Sequence, residues 1–184
     1  MKKTIHVILT TIIFSLLLTF QSGCKKKNDD SSNDSSNYFI KFKVNGVQKE
    51  FGNTSGIFTQ INVGGGNPTI YTGSFQGVAS SSTPTVNNMG LSVNDIAAIA
   101  VNKNYKSDIV GPTIAGSLVY MDAAGLVHGS DFVTTGSLGA DDAIIRLTEI
   151  SSTSVSGTFS GKVAAAGSST TLTITEGSFR VKRM

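Results

Sequence analysis

Residues 38–51 read YFIKFKVNGVQKEF. Asn45-Gly46 stands between two runs in which apolar and polar residues alternate. This is the strongest short signal for a β-hairpin, because a two-residue type I′ turn needs a positive φ at both central positions, which Asn and Gly tolerate. A two-residue loop also fixes the register. It sets Val44 opposite Val47, Lys41 opposite Glu50 and Ile40 opposite Phe51. Ile40, Phe42 and Val44 then share a face expected to be buried, and the Lys41–Glu50 pair falls on the wet face. Lys49, opposite Phe42, is the misfit, and its aliphatic stem can cover the ring.

The same period of two continues downstream. Strands are expected over residues 57–63, 69–79, 89–95, 114–121, 143–150 and 155–163. Gly64-Gly65-Gly66-Asn67-Pro68 breaks the chain between the first two, and residues 80–88 form a polar loop. In 69–79, Ile70, Thr72 and Ser74 fall on one side and Tyr71, Gly73 and Phe75 on the other. Residues 96–100 read as irregular or strand, since their apolar spacing is too short to arbitrate. Asp122-Ala123-Ala124-Gly125 reads as a type I turn with Gly in the left-handed position, so residues 126–133 are expected to return as a hairpin partner. In the last strand the apolar parity changes, from Leu172 and Ile174 to Phe179 and Val181. A one-residue slip flips the buried face, so a β-bulge is expected at Glu176-Gly177.

With abundant Ser, Thr, Gly and Val and no Trp, residues 38–184 read as one all-β domain: a single antiparallel β-sandwich, with a small closed or partly open β-barrel as the alternative. These residues carry ten Lys and Arg against nine Asp and Glu. That even balance speaks against nucleic acid as a partner.

Upstream, residues 25–37 (KKKNDDSSNDSSN) hold no apolar side chain and read as a disordered tether. Before them, residues 7–20 hold only apolar residues, Thr and Ser, behind Lys2 and Lys3. The run is shorter than the about 20 residues of a membrane span and fits a secretory signal. Ser22-Gly23 and the single cysteine, Cys24, follow it. Residues 1–23 therefore read as a signal peptide ahead of Cys24, and residues 24–37 as that Cys and its tether. The alternative, a free exposed thiol outside the cytoplasm, would be open to oxidation.

Ser22-Gly23-Cys24 behind this apolar run resembles the lipobox of bacterial lipoproteins, with Gln21 where that family usually has Leu. The resemblance implies a diacylglycerol on the Cys24 thiol, cleavage before it, acylation of the new amine and attachment to a lipid bilayer. Lys27 followed by Asp29-Asp30 resembles the surface-export signal of Bacteroidota-type lipoproteins, here interrupted by Asn28. It implies the outer membrane and its outer face, with a periplasm-facing anchor as the alternative. FKVNGV (residues 42–47), VSGTFSG (155–161) and ITEGSFRV (174–181) resemble the end motifs of uncharacterised Bacteroidota lipoproteins. That resemblance implies an antiparallel β domain on a lipid anchor and no catalytic residue.

Candidates for chemistry are sparse. No Gly-x-Ser-x-Gly elbow is present; in Gly73-Ser74-Phe75-Gln76-Gly77 the Ser comes one place early. His128 is the one His beyond the signal peptide, so a Ser/His/Asp hydrolase would have to be built on it. One His and no spare Cys make zinc improbable. Asp131 with Asp141-Asp142 could gather for a cation, yet no Asp-x-Asp-x-Asp run exists, so no metal or cofactor is expected. The triple Gly lacks the Gly-Lys-Ser ending of a phosphate loop and reads as a turn. A saccharide or small apolar ligand would want aromatic platforms, for which Tyr71, Tyr105 and Tyr120 are the candidates, each more often a core-edge residue than a platform. The expected role is a non-enzymatic binding or structural module with an unspecified glycan or protein partner.

Overall fold

The computed structural model describes residues 37–62, 64–111, 113–132 and 143–184. β1 (Phe39–Val44) and β2 (Val47–Phe51) form the opening hairpin. Its register is the expected one, with Ile40 opposite Phe51, Lys41 opposite Glu50 and Val44 opposite Val47. Asn45 and Gly46 turn the chain with φ of 48° and 83°. Lys41 Nζ lies 3.2 Å from Glu50 Oε1 on the wet face.

The chain continues through β3 (Asn53–Asn62), β4 (Thr69–Val78) and β5 (Asn88–Asp95). Three short strands follow: β6 (Asn104–Lys106), β7 (Ile109–Val110) and β8 (Thr113–Ile114). Then come β9 (Gly116–Met121), β10 (Val127–Gly129), a single 3-10 turn (Ser130–Phe132), β11 (Ala143–Ile150), β12 (Ser154–Ala165) and β13 (Thr171–Lys182). The strands of the large sheet pair antiparallel in the order β2-β1-β13-β12-β10-β9-β5-β4-β3. β12 is the fork: its first half pairs with β11, while Ala164 and Ala165 pair with Gly129 and His128 of β10. β6 extends the sheet beyond β11, and β7–β8 form a separate small ribbon.

The sheet folds over on itself as a β-sandwich and does not close into a barrel, so the barrel alternative is set aside. β3, at one end of the order, meets the residue that follows β13 at an isolated bridge between Gly56 and Arg183. Phe42 sits at the centre of the core, with ring centroids of Phe51, Tyr120 and Phe159 at 5.5, 5.7 and 5.8 Å. Edge-on rings at these separations contribute about 0.5–1.5 kcal/mol per pair beyond area burial.

The long ribbon β12–β13 explains the two C-terminal motifs. Gly157 stands opposite Phe179, and Phe159 opposite Gly177. Each Phe ring lies over the other strand's Gly. A Cβ built on Gly157 would come within 2.7 Å of the Phe179 ring, and one on Gly177 within 2.7 Å of the Phe159 ring. The bulge falls where parity required it: pairing slips between Phe159 and Gly161 on β12, and Glu176 has φ 52°. Ile174 on one side of it and Phe179 and Val181 on the other thereby all reach the core.

Two features differ from expectation and a third, in β4, adds to it, each because of a non-local contact. The return strand after the 122–125 turn stops at Gly129, short of residue 133. Ser130 turns inward, where its Oγ accepts the Leu118 N–H at 3.0 Å. In β4, Ile70 and Thr72 are buried on one face and Gly73 and Phe75 on the other. Asn94 accounts for this, since it accepts from Thr72 Oγ1 at 2.8 Å and donates to the Ile114 carbonyl at 2.6 Å. Those bonds draw the segment leading into β9 across the outer side of β4–β5. The strand expected over 114–121 is broken at Ala115, whose carbonyl accepts the Asn94 N–H at 2.7 Å.

Candidate functional site

Gly23, Cys24, Asp141 and Asp142 lie outside the described residues. The remaining candidates fall in two places, the first set by strand register and the second by an irregular segment.

The first is the β9–β10 hairpin. Asp122 begins the turn, and its Oδ1 accepts the N–H groups of Ala124 and Leu126, both at 2.9 Å. Gly125, with φ 81°, completes the turn. The register places His128 opposite Tyr120. The imidazole stacks on the Tyr120 ring at 6.0 Å, and its Nε2 lies 3.2 Å from Asp122 Oδ2. His128 Nδ1 is buried and has no hydrogen-bond partner among the described residues. Among the described residues, no hydroxyl is therefore in reach of the ring nitrogen that faces away from the carboxylate. Within the described residues the pair makes no nucleophile–base contact of the kind acyl transfer uses. Burial would push the Asp122 carboxyl up; the bonds from Leu126, His128 and Ala124 outweigh it and hold the carboxyl below its ordinary range.

Beside this hairpin, Ser130 donates to Asp131 Oδ1 at 3.2 Å. Burial pushes the Asp131 carboxyl above its ordinary range, against hydrogen bonds from Ser130 and Ser117.

The second place is the end of β5. Asp95 is buried and receives the Lys103 ammonium in a close ion pair. Lys103 also lies over the Tyr105 ring, 5.5 Å from its centroid, within the about 6 Å at which a cation feels the ring face. The bond to Asp95 raises the Lys103 pKa against the opposing effect of burial. This group was not among the sequence candidates. Nothing in the spacing of Asp95 and Lys103 signals it, because an irregular segment brings them together.

The three Tyr candidates have different fates. Tyr105 is 1% exposed and its hydroxyl is bonded to the backbone N–H and carbonyl of Ala100. Tyr120 is 4% exposed and packs edge-on to Phe42. Burial raises the pKa of both phenols. Both rings belong to the core and present no open face to a ligand, which corrects the platform expectation for them. Tyr71 is half-buried on β4, opposite Asp95. Gly64, Gly65 and Gly66 all have positive φ and make the turn between β3 and β4. Ser74 is an ordinary strand residue opposite Ser92.

Among the described residues, no three His, Cys, Asp or Glu side chains assemble as a metal-binding group. Among the same residues no helix is long and apolar enough to cross a membrane. Compared with known protein families, curated proteins and solved structures, the chain gives no match.

Proposed function

We propose that this protein is a lipid-anchored extracytoplasmic lipoprotein whose β-sandwich serves as a binding or structural module at the outer membrane. The observation that carries this reading is Ser22-Gly23-Cys24, placed directly after the short apolar run and before a wholly polar segment. Burial of acyl CH₂ groups stabilises attachment by about 0.8 kcal/mol each, so one chain holds marginally and two or more hold firmly. The β domain begins at Phe39, just after the polar run, as a cargo on such a tether would.

Cell fractionation of Cys24→Ser tests the reading. Wild-type protein is expected in the membrane fraction, and the variant outside it, without incorporated fatty acid. A variant that stays in the membrane and still takes up label contradicts the proposal. Protease added to intact cells is expected to release the domain by cutting within residues 25–37, which supports the outer face. Protection of that segment in intact cells would assign the domain to the periplasm.

A further inference from the structure

The even charge balance of residues 38–184 conceals a spatial division. In β1, β11, β12 and β13 the core takes Ile40, Phe42, Ile145, Phe159, Phe179 and Val181. Strand alternation then sends their neighbours outward. Those neighbours are Lys41 and Lys43 on β1, Arg180 and Lys182 on β13, Lys162 on β12 and Arg146 on β11. They are six of the domain's ten basic side chains. The acidic groups on the same side are Glu50, Glu149 and Glu176. The described aspartates, Asp95, Asp108, Asp122 and Asp131, all lie off these strands.

Lys41 is held by Glu50 at 3.2 Å and Lys43 by Glu176 at 2.7 Å. Glu149 accepts from Ser156 Oγ at 3.4 Å. Among the described residues, the unpaired positive groups are Arg146, Lys162, Arg180 and Lys182, all exposed; Glu149 keeps its charge in line with Arg180 across Ser156, so six basic and three acidic groups leave a net excess of three. Between them stand short side chains such as Thr158, Thr173 and Ser178. Four strands about 4.8 Å apart make a low plate about 15 Å across.

β1 is also where the chain enters from Cys24. Thirteen residues separate Cys24 from Tyr38. Even fully extended, they reach about 50 Å. We propose that this outward plate docks the domain onto the anionic lipid surface of the bilayer that carries the anchor; the inference rests on the lipid-anchor reading above. The contact is electrostatic: a Lys or Arg at an anionic surface contributes about five-fold in partitioning, equivalent to about 1 kcal/mol. Lys25, Lys26 and Lys27 add to the attraction beside the anchor.

The lipidated full chain, extracted from membranes, is reconstituted into vesicles of phosphatidylcholine alone or mixed with phosphatidylglycerol. Lysines are then labelled with a water-soluble amine reagent and read by mass spectrometry. Docking predicts that Lys162 and Lys182 react about five-fold more slowly on the anionic vesicles. Lys103, held at Asp95 off this plate, reacts alike on both. Salt that shortens the screening length to about 3 Å removes the difference. The double variant Arg180→Glu, Lys182→Glu alters only exposed positions and removes the protection of Lys162. Failure to remain on phosphatidylcholine vesicles would show that the acyl anchor itself is missing and would overturn both readings. With the anchor retained, equal labelling of Lys162 on the two vesicle types overturns the docking proposal alone. Protection by dissolved heparin or DNA without protection by vesicles would do the same.

Discussion

Phe179 lies over Gly157, its direct partner across β12–β13, and a methyl group at Gly157 would stand 2.7 Å from the ring. The Arg146 carbonyl closes the space from the other side. Both neighbours are fixed, one by the core and one by the β11–β12 ladder, so neither can give way cheaply.

Gly157→Ala is therefore expected to destabilise the domain by about 1–3 kcal/mol through overpacking. Gly90→Ala is the control. A Cβ there meets nothing nearer than the Val119 carbonyl oxygen at 3.8 Å. It is expected to be neutral or to stabilise by about 0.4–1 kcal/mol by reducing the freedom of the unfolded chain. Urea denaturation of both variants gives the comparison, and equal midpoints would contradict the packing account.

Asn45 does more than accept a positive φ. Its N–H donates to the Thr173 carbonyl at 2.9 Å and its Oδ1 accepts the Thr173 N–H at 2.8 Å, which pins the first turn to the last strand. Asn45→Ala loses the side-chain bond and places Ala in the left-handed region. The expected cost is about 1–2 kcal/mol. Asn45→Gly relieves the backbone and still lacks the acceptor, so its thermal midpoint should fall between wild type and Asn45→Ala.

The two carboxyls beside the β9–β10 hairpin should act in opposite directions with pH. Asp122 has a folded pKa below its unfolded value, so its contribution is present above the unfolded pKa of about 3.9 and is lost as pH falls through the folded value. Asp131 is raised, so its contribution is present in acid and lost as pH rises through its folded pKa. Asp131→Asn is thus expected to raise stability at neutral pH and to leave it unchanged below about pH 3.9. Denaturation midpoints across this window read the effect, and a gain of equal size at both ends would point to packing instead of charge.

What the sequence disclosed was governed by local rules. The hairpin at Asn45-Gly46 was legible because a two-residue turn leaves one register. The bulge at Glu176 was legible because Ile174 and Phe179 cannot both point inward without it. The shortness of β10 and the double burial of β4 were not legible, since they depend on Ser130 reaching Leu118 and Asn94 reaching Ile114. Tyr105 and Tyr120 could be read as core edge or as platforms, because alternation alone does not say which layer covers a strand. The Asp122–His128 pair could have been found from the hairpin, as both residues flank its turn. The Asp95–Lys103 pair could not, and the segregation of basic residues appears only once β1, β11, β12 and β13 are known to be neighbours.

The central claim concerns residues 1–24, and intact mass spectrometry of the protein purified from its native membranes tests it most directly. The account predicts a chain that begins at Cys24 and carries a diacylglycerol on its sulfur and an acyl group on its amine. An uncleaved chain with an unmodified thiol at Cys24 would contradict it.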